Sequence, residues 1–127
     1  MQRQTEHKQP LRGMRILVVD DEFLIVSLIE ETLHDAGAEI VTAATLRTAL
    51  KTASHEPLSA ALLDIRLGRQ TSEAVADVLA ARRVPFVFYS GQMVPDRIRE
   101  KHPHAQVLNK PSRQEAFVEA MLRVMGR

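Results

Sequence analysis

Five polar residues of this chain have the types and the placing to do chemistry together. Asp20 and Asp21 follow the apolar run Ile16-Leu17-Val18-Val19, and Asp64 follows Leu62-Leu63. Ser90 follows Pro85-Phe86-Val87-Phe88-Tyr89, and Lys110 stands before Pro111. Three clustered carboxylates repel, and they do not all stay ionised without a counter-charge. A hard divalent cation suits them, because Mg²⁺ takes one or two carboxylates, waters and a phosphoryl oxygen rather than a full protein cage. With the ion bound, one aspartate can attack phosphorus and carry the group as an acyl phosphate. An ammonium and a hydroxyl can then share the phosphoryl oxygens, since phosphoryl transfer mostly needs positioning and charge neutralisation.

Singly, each residue has a plainer use. Asp20-Asp21 can cap a helix, Asp64 can form an Asx turn, Ser90-Gly91 is an ordinary turn pair, and Lys110 can be a solvated lysine. The joint placing decides, and it depends on the elements that carry it. Ile16–Val19 is a short continuous apolar run, the mark of a strand buried on both faces, and Leu58–Leu63 and Pro85–Tyr89 read as a second and a third buried strand. Glu39–Ala44 and Ala105–Leu108 are two further strand candidates.

Helical periods lie between them. Leu24, Ile25, Leu28, Ile29 and Leu33 form one apolar face, with Gly37 placed to end the helix. Thr45 can cap a second helix through Leu46, Ala49, Leu50 and Ala53, closed by Pro57. After a loop from Ile65 to Gln70, a third runs from Thr71 to Arg82 with Ala74, Val75, Val78 and Leu79 inward. Val94–Lys101 is a weaker helix between Pro95 and Pro103. Ser112-Arg113-Gln114-Glu115 has capping-box spacing ahead of a last helix whose inward face is Ala116, Phe117, Ala120, Met121 and Val124.

Five strands alternating with five helices imply right-handed βαβ crossovers and a doubly wound parallel α/β sheet. Sites in such sheets form at the carboxyl ends of the strands. All five polar residues stand there.

With 127 residues, 45% of them hydrophobic, the chain has room for one core. A formal charge of +1 and four Phe, one Tyr and no Trp argue against nucleic-acid binding. The absence of cysteine excludes disulfides and thiol chemistry. No secretory signal or membrane span is legible, so a cytoplasmic protein is expected. Residues 1–13 are expected to be a loose arm and 14–127 the domain. His102 and His104 flank Pro103 without a third ligand, and Arg82-Arg83 reads as a solvated charge run.

From Met14 to Val124 the chain resembles a response-regulator receiver domain, the phosphoacceptor of two-component signalling. The segments that carry the likeness are Ile16–Glu22, Leu62–Leu67, Tyr89-Ser90-Gly91 and Lys110-Pro111. The resemblance implies a flavodoxin-like (βα)5 fold with strand order 2-1-3-4-5. It implies that Asp64 accepts the phosphoryl group, and that Asp21 directly and Asp20 through water hold Mg²⁺ together with Asp64 and the backbone carbonyl of Arg66. Ser90 falls at the switch hydroxyl and Lys110 at the family's lysine. The Pro85–Gly91 run is similar to that of short alphaproteobacterial receivers, which often lack an output domain, and none is expected here.

The implied partners are a histidine kinase or phosphotransfer protein and a downstream protein, with no nucleic acid or membrane. The domain is expected to catalyse its own phosphorylation and dephosphorylation without being a turnover enzyme. Val107 occupies the place where most receivers carry Tyr or Phe, so output is expected through the loop at Ser90 and the Val94–Lys101 helix. Two alternatives remain. A haloacid-dehalogenase-type phosphohydrolase would want Asp-x-Asp after the first strand, whereas this chain has Asp20-Asp21-Glu22. A receiver-like module that binds without phosphorylation is the other.

Overall fold

The computed structural model describes residues 9–127. Its order is β1 (Arg15–Val19), α1 (Phe23–Asp35), β2 (Glu39–Ala43), α2 (Leu46–His55) and β3 (Ala60–Asp64), then a small hairpin of β4 (Arg66–Leu67) and β5 (Gln70–Thr71). The chain continues through α3 (Glu73–Ala81), β6 (Phe86–Ser90), α4 (Asp96–Lys101), β7 (Gln106–Asn109) and α5 (Gln114–Val124). The main sheet runs β2-β1-β3-β6-β7, all parallel. Setting the hairpin aside, this is the expected 2-1-3-4-5 order. The hairpin lies in the segment expected to be a loop; two-residue strands leave too little pattern to read.

Strands β3 and β6 are buried at every position, because helices cover both faces of the sheet. Side chains alternate between two cores. Leu17, Val19, Ala61, Leu63, Phe86 and Phe88 pack with α2, α3 and Ile98 of α4. Ile16, Val18, Leu62, Val87 and Tyr89 pack with Ile29 and Leu33 of α1 and Phe117 and Met121 of α5.

The helix-end signals read in the sequence at Thr45 and Gly37 hold, with one exception elsewhere. Thr45 accepts from the Thr48 amide and the Thr48 hydroxyl returns the contact, so the expected cap is a full capping box. At α1, Gly37 N–H bonds to His34 O and Ala38 N–H to Leu33 O, the double bond of a glycine-terminated helix. Gly37 has φ +105°, and a Cβ there would sit 2.9 Å from the Gln9 side chain and 3.0 Å from the Arg12 backbone. Gly37→Ala therefore costs about 1–3 kcal/mol of stability, read as a lower urea midpoint at unchanged slope. The exception is α5. Arg113, not Ser112, is its N-cap residue, and no side chain caps it; the Ser112 hydroxyl donates to the Asn109 carbonyl instead. That bond closes the turn after Lys110, whose peptide bond to Pro111 is cis.

Other expectations also need correction. The loose arm 1–13 falls in part on residues outside those described, but Gln9–Gly13 is an ordered turn. Leu11 is fully buried in the α1/α5 core and its N–H bonds to Ala36 O at 2.9 Å, so the packed domain starts before Met14. Leu24 and Leu28 are exposed rather than inward, as is Ala74. One helix face can bury only a stripe against a sheet, and Ile29 and Leu33 take it in α1. Arg82 is not simply solvated: its guanidinium donates to Ala53 O and Glu56 O, closing the carboxyl end of α2.

Helix α4 has six residues and one buried side chain, Ile98. Charge holds it to α3. Lys101 Nζ lies 2.6 Å from Glu73 and 2.8 Å from Asp77, Arg97 Nε lies 3.0 Å from Glu73, and His102 Nε2 lies 2.9 Å from Asp77. His102 also packs edge-on against Phe86 at 5.4 Å, a structural use. No helix among the described residues is long and apolar enough to cross a membrane.

Candidate functional site

The parallel sheet delivers all five singled-out residues to one end. Asp20 follows β1, Asp64 ends β3, Ser90 ends β6, and Lys110 follows β7. Asp21, Asp64, Ser90 and Lys110 line a cleft of about 400 Å³ together with Glu22 and Arg66, and the buried Asp20 lies beside it, 3.5 Å from Lys110 Nζ. One carboxylate oxygen from each of Asp20, Asp21 and Asp64 lies within 4.8 Å of the others. A single ion with oxygen ligands can bridge such a set, and the hard donors fit Mg²⁺ better than a softer metal.

Backbone amides aim these carboxylates. Glu22 N–H donates to Asp20 Oδ1 at 2.9 Å, Gly68 N–H to Asp21 Oδ2 at 2.8 Å, and Arg66 N–H to Asp64 Oδ1 at 3.4 Å. The β4–β5 hairpin thus ties Asp21 to the loop that follows Asp64. The Gly68 contact spans 47 residues of sequence, and no local pattern announces it.

Lys110 is the counter-charge. Its Nζ lies 3.2 Å from Asp64, 3.5 Å from Asp20 and 3.6 Å from Glu22. Its own N–H bonds to Ser90 O at 2.8 Å, which fixes the start of the side chain. The ammonium also sits 5.0 Å from the centre of the Tyr89 ring. Burial lowers the Lys110 pKa, but the charges of Asp20, Asp64 and Glu22 with the Asp64 hydrogen bond together outweigh it and raise the value, so the residue stays charged. The Ser90 hydroxyl is engaged within its own loop, donating to Gln92 O at 2.8 Å and accepting from Gln92 N–H at 3.1 Å.

Burial, then the charge of Asp20, pushes the Asp64 carboxyl up to about 6, while Lys110 works in the opposite sense. The folded value lies above the 3.8 of an ordinary aspartate, so the fold favours the protonated form. Stability from this group is complete below pH 4 and is lost as pH rises through 6. That difference corresponds to roughly 3 kcal/mol, and screening in the open cleft reduces it to about 1–2 kcal/mol. Asp64→Asn should therefore stabilise the metal-free protein by that amount at pH 7.5, with the gap closing toward pH 4. Thermal or urea unfolding in chelator checks this.

The expected acceptor, carboxylates, hydroxyl and lysine are brought together, and Arg66 lines the same cleft. Sequence reading did not foresee the Gly68 amide, Gln92, or Tyr89 beneath Lys110. Only Tyr89 had a usable signal, as an aromatic residue at the end of a buried strand beside Ser90.

A response regulator receiver domain model matches residues 16–122, and the chain belongs to that family. No curated protein matches the sequence. Among solved structures, a CheY-like receiver domain protein from Methanospirillum hungatei is 21% identical over 89% of this chain and 94% of its own, with a TM-score of 0.80. The receiver domain of sensor histidine kinase PA1611 from Pseudomonas aeruginosa, with a magnesium ion in its active site cleft, is 24% identical, covering 91% and 99%, with a TM-score of 0.78. Chemotaxis protein CheY4 of Vibrio cholerae is 26% identical over 87% and 98%, with a TM-score of 0.76. The fold is the flavodoxin-like one of receivers, and the family is that of two-component response regulators.

Proposed function

We propose that this domain accepts a phosphoryl group on Asp64 from a histidine kinase or phosphotransfer protein and signals through a changed protein-binding surface. The observation that carries this reading is the Lys110 ammonium 3.2 Å from Asp64, in a cleft where three carboxylate oxygens lie within 4.8 Å. Asp20, Asp21 and Asp64, with the Arg66 carbonyl, would hold Mg²⁺, which when bound neutralises the carboxylates and supplies positive charge to the phosphoryl oxygens.

The chain's own groups do the rest. An Asp64 carboxylate oxygen attacks phosphorus; the new P–O bond forms as the P–N bond of a phosphohistidine, or the P–O bond of an acyl phosphate, breaks. The leaving group takes the electron pair. Lys110 stabilises the charge on an equatorial oxygen. The Ser90 hydroxyl donates to another, and in turning it releases Gln92 and frees the loop toward α4. Water attack on the acyl phosphate in the same cleft returns Asp64, so dephosphorylation is the domain's own reaction and not substrate turnover. With Val107 where most receivers have an aromatic ring, this loop and α4 carry the output. The working site is cytoplasmic, where the kinase's phosphohistidine is found.

Intact-mass spectrometry after incubation with acetyl phosphate and Mg²⁺ tests this. One phosphoryl adduct is expected, absent from Asp64→Asn and after chelation. No adduct on the unaltered protein would replace the reading with that of a phosphorylation-independent binding module. Many turnovers of a phosphate ester would indicate a hydrolase.

A further inference from the structure

We propose that Tyr89 is a positioning residue for Lys110, its ring face holding the ammonium over Asp64; the inference rests on Asp64 being the phosphoryl acceptor. Tyr89 is the partner of Asp64 across β3–β6 and of Leu108 across β6–β7, so its side chain rises between the acceptor strand and the strand that leads to Lys110. Lys110 Nζ stands 5.0 Å from the ring centre, within the reach of a cation–π contact. The ring is buried, and Phe117 meets it edge-on at 5.2 Å and 82°, which stops it from turning away.

Competition among the acids gives this contact its use. Asp64, Asp20 and Glu22 all draw the ammonium, and Glu22 is the most exposed of the three. Neutralising Asp20 and Asp64 with a divalent ion weakens the inward pull and leaves that of Glu22, toward the mouth of the cleft. A lysine on a flexible four-carbon stem would then drift outward. The pull of the aromatic face does not depend on the state of the carboxylates, so it keeps Lys110 in place when the phosphoryl group arrives. A ring used only to fill the core needs no cation on its face, and Leu would serve as well.

The test compares Tyr89→Leu with Tyr89→Phe in the whole chain, using lysine carbon-labelled at the ε-methylene. Lys110→Arg identifies the Lys110 signal by its disappearance. Ring current should place the Lys110 ε-protons upfield of the other lysines in the unaltered protein. Carbon relaxation should show that methylene restrained in the unaltered protein and, in Leu at saturating Mg²⁺, as free as in the exposed lysines, with acetyl phosphate labelling slowed roughly three- to tenfold; Phe should restore both. If Leu does not fold, Tyr89→Met takes its place. A Leu or Met variant that keeps the methylene restrained, or the rate unchanged, overturns the proposal, as does a Phe variant equally slow. If the unaltered protein takes no adduct, the phosphoacceptor reading falls, while the relaxation of the methylene still decides whether Tyr89 places Lys110.

Discussion

Lys110→Ala is expected to slow labelling of Asp64 by acetyl phosphate by about 10²–10³-fold, the usual effect of removing one preorganised charge stabiliser from a transition state. Lys110 is held at both ends: its backbone bonds to Ser90 and its ammonium lies between Asp64 and Asp20. Solvent cannot replace a cation held this way without reorganising, so a water molecule in its place recovers little. The same substitution removes the cation that competes for the carboxylates, so Mg²⁺ affinity should hold or rise. Slower transfer with undiminished metal binding separates loss of transition-state stabilisation from loss of the site. Time-resolved intact mass gives the first quantity and metal titration the second. A labelling rate within threefold of the unaltered protein would remove Lys110 from the mechanism.

The second large effect is structural. Phe88→Ala should cost about 3–5 kcal/mol, as a buried aromatic ring cut back to a methyl leaves a cavity that the fold only partly fills. Phe88 is 1% exposed, on a strand buried at every position, and stacks edge-on with Phe86 at 5.3 Å. Against a total of about 5–15 kcal/mol for a domain this size, that is a large fraction. Val107→Ala, on the edge strand and 42% exposed, should cost under about 0.5 kcal/mol. Urea unfolding of the two variants side by side reads the difference. Equal midpoints would mean that the core does not rest on β6 as the packing indicates. Because Ser90 ends the same strand, Phe88→Ala should also blur the geometry of the loop at Gln92.

The central strands were legible because buried parallel strands show as unbroken apolar runs, and Ile16–Val19, Leu62–Leu63 and Phe86–Tyr89 are such runs, whereas the strand order came from the family resemblance. Helix faces were less legible. Leu24 and Leu28 satisfy the same period as Ile29 and Leu33, yet only the latter two meet the sheet. Period determines which residues share a side, and how far around that side the neighbours reach is a matter of packing. The capping box at Ser112 failed for a related reason. A hydroxyl that can bond an amide ahead of it can equally bond a carbonyl behind it, and the turn after Lys110 brings the Asn109 carbonyl within reach.

Sequence alone determined which polar groups this protein gathers. Asp20, Asp21, Asp64, Ser90 and Lys110 each end or follow a strand, and a parallel sheet places all such ends on one edge. Tertiary structure decided how those groups are aimed. The Gly68 amide on Asp21, the Gln92 hold on Ser90, the α3–α4 ion cluster and the Tyr89 ring beneath Lys110 join residues that local pattern does not relate. Hydrophobic period and strand ends are properties of a few neighbouring residues, whereas a hydrogen bond across 47 residues exists only once the chain has closed on itself.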